Sequence, residues 1–222
     1  MNQRNYNKEL ENLMANEALK GSTLFLHSCC APCSSAVLER LRNFFRITVF
    51  YYNPNISPKE EYEFRKEEQK RLIEELNCMA GAKVGAETDI GTDKFYHIEM
   101  IDADYEPKLF LEAVKGLEKE PEGGARCTEC FELRLSKTVA EAIKQGADYV
   151  TTTLTISPLK NAPLLNQIGE ALCEGTSVKW LPSDFKKKDG YNRSIALSAE
   201  YDLYRQNYCG CAFSKAAGME NS

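Results

Sequence analysis

Seven of the nine cysteines in this 222-residue chain fall into three tight groups far apart in sequence. They are Cys29, Cys30 and Cys33 in Cys-Cys-Ala-Pro-Cys, Cys127 and Cys130 in Cys-Thr-Glu-Cys, and Cys209 and Cys211 in Cys-Gly-Cys. Only Cys78 and Cys173 stand alone. Grouped thiols either oxidise or hold a metal. The fold must therefore bring an N-terminal, a middle and a C-terminal group together into one sulfur-rich site.

Composition narrows the reason. Hydrophobic residues make up 43% of the chain and charged residues 27%, enough to build a core without covalent staples. No apolar run approaches membrane-spanning length, and the first residues lack the apolar stretch of an export signal. The expected compartment is a reducing cytoplasm, where clustered thiols argue for metal or catalysis over bridges. A net charge of −5 argues against an indiscriminate nucleic-acid binder. A local basic surface is still possible in Lys186, Lys187, Lys188, Tyr191 and Arg193, although a lone charge run is ordinarily a solvated loop.

Strand and helix patterns alternate along the chain. Apolar runs at 23–27, 47–52, 98–101, 148–155 and 178–181 read as strands buried on both faces. Helices are expected over 5–19, 34–41, from Ser57 as N-cap to about 76, from Pro107, from Cys127 to Gly146, over 163–173 and over 194–204. Leu109, Phe110, Ala113, Val114 and Leu117 should share one helix face, and Phe131, Leu135, Val139 and Ala142 another. The alternation predicts a three-layer α/β fold, a mainly parallel sheet with helices on both faces. We divide it into an N-terminal helical extension (1–20), a single domain (21–215) and a short tail (216–222). In such folds ligands sit beyond the carboxyl ends of the strands. Cys29–Cys33 follow the first strand, so the metal site is expected at that edge.

Thiolates are soft ligands suited to zinc and to iron–sulfur clusters. Seven exceed the four that one zinc ion or one 4Fe–4S cluster takes. The surplus leaves room for a second metal or a reactive dithiol. Softness and compartment favour iron over zinc. Buried inert thiols account well for Cys78 and Cys173 and poorly for the groups. His27 is an orienting group at most, and Arg126 is placed to offset the charge of the polythiolate site. In Thr151–Asn161, hydroxyls crowd a strand end with Lys160 and Asn161, which suits phosphate or sugar, or an ordinary turn. No Gly-rich phosphate loop is present, which weighs against an ATP-dependent enzyme.

Taken in order, five stretches resemble the epoxyqueuosine reductase QueH family. They are Leu-His-Ser-Cys-Cys-Ala-Pro-Cys (26–33), Tyr-Asn-Pro-Asn (52–55), Ala-Arg-Cys-Thr-Glu-Cys-Phe-Glu-Leu-Arg (125–134), Thr-Thr-Leu-Thr-Ile-Ser-Pro-Leu-Lys-Asn (152–161), and the segment from Phe185 to Ser214. The resemblance covers 24–214. It implies a Rossmann-like sheet related to nucleotide hydrolase-like folds and a cytoplasmic oxidoreductase acting on tRNA that carries epoxyqueuosine. It also implies a 4Fe–4S cluster beside a mononuclear iron, held by Cys29, Cys30, Cys33, Cys127, Cys130, Cys209 and Cys211, and an unidentified electron donor. Some members carry an aspartate where this chain has Cys33, so the metal that Cys33 binds stays open. Cys33, Tyr208 and Asp184 are the catalytic candidates, the last two as proton donors. Arg126, Lys160, Asn161, Lys186, Lys187, Lys188, Tyr191 and Arg193 are the candidate substrate contacts. The alternatives are an iron–sulfur tRNA thiolation enzyme and a zinc-stabilised, non-catalytic RNA-binding module.

Overall fold

Five strands build the sheet that positions everything else. The computed structural model describes residues 4–79, 87–90 and 93–215. In chain order, these contain α1 (Tyr6–Met14), β1 (Thr23–His27), α2 (Ala31–Leu41), β2 (Arg46–Tyr51) and α3 (Lys59–Met79). A two-stranded antiparallel hairpin, β3 (Glu87–Ile90) and β4 (Asp93–Tyr96), precedes β5 (Glu99–Asp102). Then come α4 (Pro107–Ala113), α5 (Ala125–Lys144), β6 (Tyr149–Thr152), α6 (Ala162–Cys173), β7 (Lys179–Trp180) and α7 (Gly190–Glu200). The sheet order is β5-β2-β1-β6-β7, and every neighbouring pair is parallel.

Alternation along the strands creates two cores. Leu24 and Leu26 of β1, Ile47 and Val49 of β2 and Tyr149 of β6 join one apolar cluster with α1, α2, α3 and α7. Phe25, Phe50 and Val150 point to the other face and pack with Phe131, Leu135, Val139 and Ala142 of α5 and Leu165 and Ile168 of α6. This is the three-layer arrangement expected for a parallel sheet covered on both sides. Leu10 of α1 is fully buried in the first core, so the N-terminal helix packs as part of the layer.

Several boundaries differ from the sequence reading. The helix expected over 5–19 stops at Met14, and Asn16 caps a separate 3-10 turn at Glu17–Leu19. Helix α2 starts at Ala31, three residues early, because Cys30 is an extended N-cap and Pro32 fits a first turn. Helix α3 begins at Lys59, after a cis Ser57–Pro58 bond. The strand expected over 148–155 ends at Thr152, where the threonine side chain accepts from the Leu154 N–H and turns the chain into a 3-10 helix, Thr153–Ile156. In α4 only Phe110 and the following Val114 are buried, while Leu109 is exposed. The hairpin β3–β4 has no counterpart in the sequence reading.

The sheet reverses direction of growth at β1: β2 lies on one side and β6 on the other. Such a switch point opens a crevice at the carboxyl edge. The Cys29–Cys33 loop leaves β1 there, and the 153–161 segment leaves β6 beside it.

Candidate metal centre and its cleft

The N-terminal trio forms the tightest group. The Sγ atoms of Cys29, Cys30 and Cys33 all lie within 4.8 Å of one another, a geometry that can hold a metal ion. Cys29 and Cys30 are 3.7 Å apart and unbonded, and Cys29 Sγ is 3.8 Å from the Thr153 hydroxyl across the crevice. The trio sits at the start of α2, where the helix N-terminus favours negative charge.

The remaining four thiols lie nearby, but among the described residues only the trio converges closely enough to hold one ion. Cys127 and Cys130 occupy the first turns of α5, again at a helix N-terminus. Cys130 and Cys211 pack in one small apolar cluster with Phe110, Val114 and Phe213. The Cys209–Cys211 turn is fixed from two sides. Ser57 N–H donates to the Gly210 carbonyl at 2.9 Å, and buried Arg65 donates to the Cys209 carbonyl at 3.3 Å. Gly210 has φ +114, and a Cβ there would lie 2.9 Å from Ile56 and 3.0 Å from Arg65, so this turn needs glycine.

Nitrogen donors point at the sulfurs. Gln206 Nε2 reaches Cys30 Sγ at 2.9 Å and Lys160 Nζ reaches Cys209 Sγ at 3.3 Å. Backbone N–H groups of Gly123 and Ser214 reach Cys127 at 3.2 Å and Cys211 at 3.3 Å. Arg134 Nη1 lies 4.0 Å from Cys130 Sγ. Such donors stabilise thiolate and tune sulfur-ligated metals.

Electrostatics divide the thiols. Hydrogen bonds from the Cys30 and Cys33 thiols hold Cys29 well below the usual thiol range, with Arg134 assisting. The same negative sulfur pushes Cys30 up to about 12 and Cys33 well up. Burial raises Cys130 to about 11, and burial followed by the Cys209 sulfur raises Cys211. The trio thus favours ionising Cys29 over its two neighbours, and a cation in the site would ease further deprotonation. The donor set fits a metal: soft, convergent, supplied with N–H donors, and reluctant to ionise without one.

A cleft of about 360 Å³ opens onto this site. Cys29, Cys33 and Cys209 line it with Arg134, Lys160 and Tyr208, so both thiol groups share one opening. Exposed Leu159 stands at its wall.

The residues singled out in the sequence separate under this geometry. Tyr208, Tyr191 and Lys160 line the cleft. Burial raises the Tyr208 phenol, so it keeps its proton. Asp184 is not among the lining residues; it accepts from Lys186 at 3.1 Å. Arg126 is buried away from the cleft. It donates to the Glu118 and Glu120 carbonyls and stacks on Phe213, which ties down the loop before α5. Asn161 caps α6 through the Leu164 N–H. Lys187, Lys188 and Arg193 border a separate depression. Tyr191 and Arg193 belong to α7 and not to a loop, because the helix begins at Gly190. His27 is buried, bonded to Thr152 and to the Tyr52 carbonyl, and takes a structural place behind the site.

Sequence reasoning missed Arg134 and Gln206. Arg134 carries a legible signal, one helical turn after Cys130 on the same face. Gln206 carries none, since only the folded chain brings it to Cys30.

Residues 24–217 match the family model described as epoxyqueuosine reductase QueH. The chain belongs to the QueH family. It is 42% identical to the epoxyqueuosine reductase QueH of Staphylococcus epidermidis over 95% of this chain and 84% of that one. The corresponding figures for the Streptococcus pyogenes QueH are 41%, 96% and 78%. For Thermotoga maritima QueH they are 35%, 86% and 90%. As a QueH family member the chain is an oxidoreductase. Among its described residues no helix is long and apolar enough to cross a membrane.

Proposed function

We propose that this chain reduces the epoxide of epoxyqueuosine in tRNA to the cyclopentene of queuosine, using iron held by its seven grouped cysteines. The observation that carries the reading is the shared cleft: Cys29, Cys33 and Cys209, from both thiol groups, line one opening. Cys127, Cys130, Cys209 and Cys211 would hold a 4Fe–4S cluster, whose four thiolate positions they match in number. Cys29, Cys30 and Cys33 would hold a further iron. When bound, these metals would supply electrons and a Lewis-acid site for the epoxide oxygen.

Removing that oxygen as water takes two electrons and two protons. The chain's own part is to bind, orient and protonate. Tyr208 faces the cleft with its phenol protonated at neutral pH, and it is the proton donor in this reading. Tyr191 lines the same cleft and offers an aromatic face to a splayed base. Lys160, with a side chain 9% exposed and fixed against Cys209, would sit beside a metal held by that thiol rather than out in solvent. The electrons come from an external donor.

Anaerobic purification followed by iron, sulfide and zinc analysis tests this. About four sulfides with four or five irons per chain, together with turnover of epoxyqueuosine-tRNA, are expected. Cys130→Ala should lose sulfide; Cys29→Ala should keep sulfide but lose turnover. Zinc without sulfide in the wild type, or full turnover in either variant, would sink the reading.

A further inference from the structure

Arg134 is among the largest fully buried side chains of the protein, at 1% exposure. A buried cation without a partner carries a large desolvation cost, so its surroundings must supply negative charge or strong acceptors. Among the described residues no carboxylate is paired with it. Its neighbours are sulfur and an amide. Nη1 lies 4.0 Å from Cys130 Sγ, Nη2 donates to Asn53 Oδ1 at 2.5 Å, and Nε has no partner.

Asn53 extends the contact to the other thiol group. Its amide N–H donates to the Ser28 carbonyl at 2.9 Å, one residue before Cys29. A continuous path therefore runs from Cys130 on α5, through the guanidinium and Asn53, to the loop that presents Cys29. Arg134 also lines the cleft with Cys29, Cys33 and Cys209. Lys160 donates to the sulfur of Cys209, and Arg65, equally buried, donates to the carbonyl of that turn and to Glu61, lies over the Tyr208 ring and feels the charge of Cys30. What sets Arg134 apart is the link through Asn53: its guanidinium lies beside Cys130 and, through Asn53, is tied to the loop that presents Cys29.

We propose that Arg134 is the shared counter-cation of the two thiol groups, a positioning residue that lets them sit side by side and holds the loaded centre at a higher reduction potential. Adding an electron to a thiolate-bound centre adds negative charge. A fixed positive charge nearby favours that reduced form, and it acts strongly where water is excluded. Arginine suits the place because it stays protonated and can contact a sulfur and an amide through separate nitrogens. This inference rests on the iron-bearing reading of the site.

The test compares the full chain as wild type, Arg134→Lys and Arg134→Gln, each reconstituted anaerobically. Iron and sulfide per chain are measured, and the midpoint potential is read by dye-mediated titration with electron paramagnetic resonance. Arg134→Lys, which keeps the charge, should load fully with a potential near the wild type. Arg134→Gln should load with a potential shifted to more negative values. If glutamine prevents loading while lysine permits it, the requirement for charge is again supported. Equal potentials in all three proteins would overturn the proposal. Equal failure of both variants to load would overturn it too, and would assign the residue to the geometry of its fork. A wild type that takes up neither iron nor sulfide would instead refute the iron reading itself, a result the variants are not needed to recognise.

Discussion

His27 is completely buried, and both of its ring nitrogens are engaged. The Tyr52 carbonyl can only accept, so Nε2 carries the hydrogen at 3.2 Å, and Nδ1 accepts from the Thr152 hydroxyl at 2.8 Å. Burial first, and then the Arg134 charge, lowers the histidine to about 3 from an ordinary 6.5. The sign of the pH effect follows. Above pH 6.5 folded and unfolded chains are both neutral here, and the residue contributes no pH dependence. Below it the unfolded chain takes up a proton that the folded chain refuses, so stability falls as pH falls from 6.5 toward 3. Between pH 7 and 5 this amounts to about 2 kcal/mol, at roughly 1.4 kcal/mol per pH unit below 6.5. His27→Gln should flatten the profile by that amount. Urea unfolding of both proteins at the two pH values measures it, and parallel profiles would show that the ring does not stay neutral in the fold.

Helix α6 is held against the sheet by the absence of a side chain. Gly169 faces Trp180 of β7, and a Cβ there would lie 2.3 Å from the indole. Alanine is the better helix former by about 1 kcal/mol, yet overpacking of this kind typically costs about 1–3 kcal/mol. Trp180 is also fixed, donating its ring N–H to Asn166 Oδ1 at 3.0 Å, so it cannot swing aside without losing that bond. Gly169→Ala should therefore lower the melting temperature despite its favourable propensity, while iron content at low temperature stays unchanged. A raised melting temperature would mean that the ring yields easily.

Elements differed in how clearly the sequence announced them, and the reason is physical. Helix α5 was legible because Phe131, Leu135, Val139 and Ala142 repeat at helical spacing, and all four are buried. Helix α7 starts four residues before the sequence pattern predicts, because Asp189-Gly190-Tyr191-Asn192 has the composition of a turn. The turn does exist, with Lys188 and Asp189 at positive φ, but the helix starts at once behind it. Gly190 is required there for close packing, since a Cβ would meet the Phe185 carbonyl at 2.0 Å. The seven thiols were legible as a set, because density of one residue type needs no fold to be seen. Their division into a trio and a group of four, and the place of Arg134 between them, depend on how the first turns of α2 and α5, on opposite faces of the sheet, reach its carboxyl edge.

At the scale of the whole molecule, an acidic chain of net charge −5 must receive a polyanion. The basic segment is not a bare patch. Lys186 pairs with Asp184 at 3.1 Å and Lys188 with Glu11 at 3.5 Å. Arg193 is gripped by both carboxylate oxygens of Glu39, at 2.8 and 2.6 Å. If the tRNA backbone passes over this segment, each of these carboxylates would compete with a phosphate for its cation. Exposed pairs of this kind are worth only about 0.2–1 kcal/mol, so a phosphate can displace them, but the exchange reduces the net gain in affinity. Glu39→Gln removes one competitor. It should tighten tRNA binding by about 1.4- to fivefold at low salt, the equivalent of that energy range. The plot of log affinity against log salt should steepen by up to about 0.9, one phosphate's share. Arg193→Ala should weaken binding and flatten the same plot. Fluorescence anisotropy with labelled tRNA across a salt series reads both effects. If neither variant moves affinity or slope, the tRNA backbone does not pass over α7, and the polyanion must approach the cleft from the side of Lys160 and Arg205.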